Sequence, residues 1–206
     1  WFDGIAREGF KQVLILGAGF DSRAVRFSEE LRGMRVFELD AGTTQMLKAT
    51  QFKERRITVP ENVIFIPVNF ELETIEAKLL KAGFQSNLKS LILMEGVLQY
   101  LRPEAVHATL TALAELTPAG SRLICDFANA TFFNAQEVVF GKAGVQSLLR
   151  QYGEPFQFGL AEAEVESFFD QIGFRLVEYI NPPDLEQMYF IDSRGLLCAR
   201  VNGTQS

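Results

Sequence analysis

The chain has 206 residues, 48% hydrophobic and 22% charged, which is the composition of a folded globular protein: enough for one well-buried domain, short for two. Its formal net charge of −6 argues against a grip on a nucleic-acid backbone, which needs a basic stripe, and the short KERR run at 53–56 reads as a solvated helix end. No apolar run approaches the roughly 18 residues of a spanning helix and no secretory pattern opens the chain, so a cytoplasmic protein with no nucleic-acid and no membrane partner is expected.

The predicted elements alternate. QVLIL (12–16) is a strand candidate, followed by a glycine turn, and MRVFEL (34–39) is the second, with a helical segment expected from Gly42. VIFIPV (63–68) is the third, and Pro67, which cannot donate to a ladder, makes it an edge strand. Leu72, Ile75, Leu79 and Ala82 recur at helical spacing and stop at Gly83. LKSLILM (88–94) is the fourth strand. Pro103 then opens a helix carrying Val106, Leu110, Leu113 and Leu116, and RLICDF (122–127) is the fifth strand. Residues 128–159, rich in Phe, Asn and Gln, break the alternation and read as an insertion with helix around 135–151.

Val165, Phe168, Phe169 and Ile172 form a further helical stripe, ended by Gly173 as a C′ residue. FRLVEYI (174–180), MYFI (188–191) and GLLCARV (195–201) look like strands. The last two are joined by the turn-like DSRG and must therefore be antiparallel. The pattern is α/β, a mostly parallel sheet with an antiparallel end. Cys125 and Cys198 sit in apolar runs without a partner at metal spacing, so reduced core thiols are expected, with no disulfide and no metal.

The chemistry gathers at LILGAGFDSRAVRF (14–27). Gly17 and Gly19 allow a tight turn and close approach of a ligand to backbone, and the helix that follows offers free N–H groups. A dinucleotide fingerprint needs a third glycine, where this chain has Ser22. Asp21 at the helix start can cap those N–H groups itself and would repel a pyrophosphate. A ligand with an adenosine ribose and no phosphate fits better, and S-adenosylmethionine is one. FELD supplies Glu38 and Asp40 as an acceptor pair for a ribose; Asp40 lies 21 residues after Gly19, a fitting interval, with a helix cap as its other reading. Glu95 follows an apolar run at the carboxyl end of a central strand, where open α/β sheets hold ligands; a structural hydrogen bond is the alternative. His107, the single histidine, lies off its helix's apolar stripe and reads as exposed rather than as a base.

Taken together, QVLILGAGFDSRAVRF, VFELD, VNFE, LMEGVLQYL and GSRLICDF resemble the leucine carboxyl methyltransferase family, in order and over residues 2 to about 200. The resemblance implies a class I methyltransferase Rossmann-like fold: a mostly parallel seven-stranded sheet with an antiparallel last strand and helices on both faces, as a single domain over 1–206. It also implies S-adenosyl-L-methionine as cofactor. The expected cofactor-binding residues are Gly17, Ala18, Gly19, Asp21, Arg23, Glu38, Asp40, Asn69, Phe70, Glu95 and Gly96. Asn69 stands where the family has Asp, and its amide oxygen can still accept from an adenine amino group. The family also carries an Arg just before the motif resembling WFDG, with covering helices ahead of it, so an N-terminal cap segment is expected outside this chain.

On the acceptor side, Tyr100, Phe132 and Phe133 are candidates. Phe127, Phe132, Phe133, Phe156 and Phe158 cluster around the 128–159 insertion, which is expected as a substrate-side lid with aromatic walls. The expected activity is O-methyl transfer to a carboxylate or hydroxyl of a small molecule or peptide C-terminus. A carboxylate acceptor needs no general base, and no catalytic residue is assigned. The alternatives are a non-catalytic cofactor-binding module and an NAD-dependent oxidoreductase. The oligomeric state is left open.

Overall fold

Five of the apolar runs form one parallel sheet in a computed structural model that describes residues 4, 5 and 7–204. Of the WFDG segment, only Gly4 lies within the described residues. The chain divides into two units. The first is drawn from residues up to Glu95 together with His107–Cys125, the second from Gly96–Val106 and the residues from Asp126 on.

In the first unit, β1 (Gln12–Leu16), β2 (Arg35–Asp40), β3 (Val63–Pro67), β4 (Ser90–Met94) and β5 (Arg122–Cys125) lie in the spatial order β3-β2-β1-β4-β5. All pairs are parallel, with Leu16 of β1 beside Leu39 on one side and Met94 on the other. The helices are α1 (Arg23–Arg26), α2 (Gly42–Glu54), α3 (Ile75–Lys81) and α4 (Pro103–Leu116), the last from His107 on, its first turn being counted with the second unit. The chain moves outward from β1 to β3, crosses back to β4 and continues to β5. Right-handed crossovers therefore place α1 and α2 on one face and α3 and α4 on the other. β1 and β4, the two central neighbours, are buried along their whole length. Val13, Ile15, Val36, Leu91 and Leu93 join Phe10, Ala24 and Leu31 in one core cluster. Pro67 ends an edge strand, as proline chemistry requires.

The second unit contains a two-residue parallel pair, β6 (Ala128–Asn129) and β7 (Gly159–Leu160), and helices α5 (Lys142–Tyr152), α6 (Val165–Ile172) and α7 (Pro182–Tyr189). Gly173, at φ 106°, caps α6. The expected seven-stranded sheet with an antiparallel last strand is corrected here: among the described residues the main sheet has five strands, all parallel. The reason is local. Asn181 and Asp184 form a reciprocal capping box, and Pro182 and Pro183 occupy the first helical positions, so Met188 and Tyr189 of MYFI fall in the last turn of α7 and Phe190 caps it. Residues 174–180 form no ladder, and Val177 within them is exposed. The antiparallel reading of the last segments survives only as a tight hairpin. Asp192 accepts from the Arg194 and Leu196 N–H groups, and Ile191 bridges Leu197. Cys198 on that hairpin is exposed rather than a core thiol, and Cys125 is half-buried. Leu72 likewise lies outside its expected helix, 80% exposed, because α3 starts only after Thr74.

Helix α2 reverses the usual rule. Its sheet-facing residues are polar, Gln45 and Lys48, while Met46 and Leu47 are exposed. The Lys48 Nζ donates to the Glu38 carboxylate at 2.5 Å, with both side chains almost fully buried. Phe52 and Phe65 rings flank the ammonium at 5.7 and 5.8 Å. Gln45 Nε2 donates to the Glu38 and Ile66 carbonyls at 2.9 and 3.0 Å. Burial pushes the Glu38 carboxyl above its ordinary value; Lys48 opposes this, and the charges of Asp21 and Asp40 add to it. A carboxyl raised in the folded state gives stability at low pH that is lost as pH rises from its unfolded value through its folded one. Lys48→Met removes the opposing partner and should cost about 3–5 kcal/mol at pH 7. Part of that loss should return as pH is lowered, because the buried Glu38 carboxyl takes a proton more readily in the folded state than in the unfolded one. Urea unfolding of wild type and variant across an acid-to-neutral pH series checks both expectations.

Candidate active site

The direction of chain crossing reverses between β1 and β4, which opens a crevice beyond their carboxyl ends, at Leu16 and Met94. Everything that follows β1 is bent by the glycine turn. Gly17 and Gly19 have φ of 62° and 43°, a region that strongly favours glycine. The buried Ala18 donates to the Leu39 carbonyl at 3.1 Å and accepts from the Asp21 N–H at 2.7 Å. The Gly19 N–H donates to Asp40 Oδ2 at 2.5 Å, and Asp40 Oδ1 accepts from the Ala41 N–H at 2.6 Å. Asp40 thus ties the end of β2 to the loop after β1. It does not cap the second or third helical N–H of α2, and the side chain of half-buried Asp40 still has lone pairs to offer.

Asp21 behaves as its position suggests. Its Oδ1 accepts the Arg23 N–H at 2.7 Å, which takes the first N–H of α1, and α1 is a single turn of four residues. The helix start is therefore already satisfied by a carboxylate. Asp21 Oδ2 also accepts from Arg23 Nε at 2.7 Å and pairs with Nη2 at 2.7 Å. The same Nη2 pairs with Glu95 Oε2, so one guanidinium links the loop after β1 to the residue after β4. Burial lowers the Arg23 pKa, but the hydrogen bonds and charges of Asp21 and Glu95 together outweigh it and hold the group above its ordinary value. The side chains are 14% exposed for Asp21, 25% for Arg23 and 46% for Glu95, so the charge rises toward solvent on the Glu95 side.

Glu38 does not join Asp40 as an acceptor pair open to a ligand. Its carboxylate is 2% exposed and held by Lys48, so its contribution is to the electrostatics of this strand end. Asn69 and Phe70 follow β3. The exposed Asn69 uses its side-chain oxygen on the Glu71 N–H at 3.0 Å, and its own N–H donates to Glu73 at 2.8 Å. Lys78 pairs with Glu73 at 2.9 Å; that hydrogen bond first, and the Asn69 N–H second, hold the Glu73 carboxyl below its ordinary value. The turn after β3 is therefore fixed by its own side chains, with Phe70 half-buried beside it.

The remaining candidates lie in the second unit, except His107 in the first. Gly96, at φ 69°, donates its N–H to Asp126 at 2.6 Å. Tyr100 packs edge-on to Phe156, ring centroids 5.1 Å apart. Burial first, then the charges of Glu154 and Asp126, hold its phenol above its ordinary value, so it is a neutral hydroxyl near pH 7. The five phenylalanines do not make one wall. Phe132 and Phe156 are core residues with Ala128, Phe127 stacks with Tyr179, and Phe158 packs on Phe168. Phe133, 48% exposed and edge-on to Phe132, is the one that faces outward. His107 is exposed on α4, its Nδ1 3.4 Å from the Thr111 hydroxyl.

Sequence reasoning missed Lys48, Gln45 and Asp126. The signal for Lys48 was its place three residues after Gln45 and ten after Glu38, which lines both polar side chains along the face of α2 that meets the sheet.

YktD of Bacillus subtilis, whose name gives it provisionally as an S-adenosyl-L-methionine-dependent methyltransferase, is 29% identical over 191 residues, 93% of this chain and 62% of its own length. FRAAL3718 of Frankia alni, named in the same provisional terms, is 35% identical over 115 residues, 56% of this chain and 40% of its own. The chain thus spans between two fifths and just over three fifths of these relatives. Among solved structures, magnesium protoporphyrin IX methyltransferase (ChlM) from Synechocystis PCC 6803 with bound SAH superposes with a TM-score of 0.55 at 16% identity, covering 86% of this chain and 70% of that one. Mitomycin 7-O-methyltransferase MmcR gives 0.56 at 15% identity, covering 84% and 45%. At these identities the likeness shows a shared fold, the class I methyltransferase sheet. The family profile described as leucine carboxyl methyltransferase matches residues 1–114, more than half of the chain, and the chain belongs to that family.

Proposed function

We propose that the chain is the S-adenosyl-L-methionine-binding core of an O-methyltransferase whose acceptor is a carboxylate or hydroxyl of a small molecule or peptide C-terminus. The observation that carries this reading is the Arg23 bridge between Asp21 and Glu95 at the β1/β4 crevice, beside a glycine turn tied to Asp40. The residues fit the cofactor and do not fit a dinucleotide: the first N–H of α1 is taken by Asp21, so a pyrophosphate would meet a carboxylate instead of free donors. Gly17, Ala18 and Gly19 would lie against the ligand's backbone-facing side, Asp40 would accept from ribose hydroxyls, and Asn69 and Phe70 would border the adenine. When bound, the cofactor supplies an activated methyl group, and the chain's part is to hold and orient it and keep water away. For a carboxylate acceptor no proton needs to be removed, which agrees with a neutral Tyr100 and an exposed His107. In the second unit, Phe133 and Tyr100 are the proposed acceptor-side residues, Phe132 supporting them from the core.

Calorimetric titration of the full-length protein with SAH and with NAD tests the reading. Micromolar binding of SAH without binding of NAD is the expected result; binding of NAD alone would return the oxidoreductase alternative, and binding of neither would favour a non-catalytic module. A second titration isolates Asp40. Asp40→Asn keeps the shape but removes the charge that faces the ribose, and SAH affinity should fall roughly 10- to 100-fold, the equivalent of one or two charged hydrogen bonds. An unchanged Kd would assign Asp40 to the loop alone.

A further inference from the structure

The second unit holds a polar group for which the functions assigned so far give no use. The Gln99 side chain is 1% exposed, and neither its amide oxygen nor its amide nitrogen has a hydrogen-bond partner among the described residues. A buried amide left unpaired is costly and seldom kept in a fold, since it has both donors and an acceptor to satisfy. The main-chain carbonyls at the same point are taken. That of Gln99 accepts from the Gln157 and Phe158 N–H groups at 2.7 and 3.3 Å, and that of Tyr100 accepts from Gln157 Nε2 at 2.6 Å. The strap 154–158 is thereby clamped on the single 3-10 turn Leu98–Tyr100, and the unpaired amide belongs to that clamp.

The clamp is aromatic and acidic. Tyr100 meets Phe156 of the strap edge-on at 5.1 Å, and Phe156 meets Phe132 at 4.8 Å. Glu154, at the start of the strap, is exposed, and Asp126 is tied to the Gly96 N–H at 2.6 Å. Beyond burial, the charges that raise the Tyr100 phenol are those of Glu154 and Asp126, so both carboxylates act at this place. The buried Lys142 does not answer them: its ammonium donates to the Thr131, Asn134 and Glu137 carbonyls at 2.8, 2.5 and 3.2 Å. A carboxylate arriving here would meet two like charges and the negative faces of aromatic rings. An ammonium would meet ring faces, carboxylates and an amide oxygen with nothing bound to it.

We propose that Gln99, Tyr100 and Glu154 form a subsite that reads an ammonium group on the acceptor and turns a carboxylate away. This rests on the second unit being the acceptor side, and it narrows the acceptor to the hydroxyl class. The Gln99 amide oxygen accepts from the ammonium, the Tyr100 ring presents its face, and Glu154 supplies the counter-charge.

The test is a pair of calorimetric titrations on the full-length protein saturated with SAH, using tyramine and 3-(4-hydroxyphenyl)propionate, which share a phenol and carry opposite charges on the tail. Tyramine should bind at least about tenfold more tightly. Gln99→Met, close in volume and without the amide, should weaken tyramine about tenfold while leaving the melting temperature level or higher, because it removes an unpaired buried group. Glu154→Gln should weaken tyramine about 3- to 10-fold and strengthen the propionate. Equal or tighter binding of the propionate by wild type would overturn the inference, as would undiminished tyramine binding by both variants or binding of neither probe. If Gln99→Met does not fold, Glu154→Gln at its exposed position carries the comparison, and an unchanged ratio between the two probes would overturn the inference. Failure to bind SAH would instead remove the cofactor reading, and the same two probes on the SAH-free protein would then decide the subsite by the same ratio.

Discussion

The buried pair of Glu38 and Lys48 is the interaction on which the ligand end of the sheet depends. Glu38, Asp40 and Asp21 bring three carboxylates to one region, and the charges of the other two act on Glu38. A carboxylate that is 2% exposed cannot stay ionised in such company without a counter-charge. Lys48 supplies it from α2, and this is why that helix buries polar residues and exposes Met46 and Leu47. With Glu38 neutralised, Asp40 is free to hold the glycine turn through Gly19 and Asp21 to hold Arg23. The strand end can then carry more than one carboxylate and still fold.

The second constraint is topological. Because the crossing direction reverses between β1 and β4, their ends are adjacent while the segments that leave them go opposite ways. Two loops from distant parts of the sequence are thereby brought within reach of one side chain. Arg23 exploits this, seven residues after β1 and paired with the residue that directly follows β4. The shortness of α1 belongs to the same design: a one-turn helix whose first N–H is already used contributes little macrodipole, so the charge at this point is set by side chains rather than by backbone.

How much of this was legible in the sequence follows from how each element hides its reasons. The strands were legible because apolar runs between helices, near-continuous in β1, β3 and β4, are what a sheet covered on both faces requires, and Pro67 marked its edge. Asp21, Asp40 and Glu95 were legible by position, each at the end or just beyond the end of a strand. Lys48 was not, because a lysine on a helix of low amphipathicity reads as solvent-facing until the carboxylate beneath it is known. The antiparallel end was misread because β-rich composition in 174–201 competes with a local signal of greater weight, the Asn181 capping box followed by two prolines. The aromatic wall was misread for a related reason: proximity in sequence placed the phenylalanines near one insertion, but side-chain direction sent most of them into the core and left Phe133 outside.

The balance of charge decides what kind of molecule this end of the sheet can hold. Two like charges about 5 Å apart in a partly buried setting repel by roughly 3 kcal/mol, so a pyrophosphate set against Asp21 and Glu95 would begin with a deficit that its hydrogen bonds would have to overcome. Arg23 cannot offset this, because its charge is already shared between those two carboxylates. The departure from a dinucleotide turn is therefore more than a missing third glycine. Asp21 and Arg23, on either side of Ser22, set a charged pair where such a turn keeps free backbone donors.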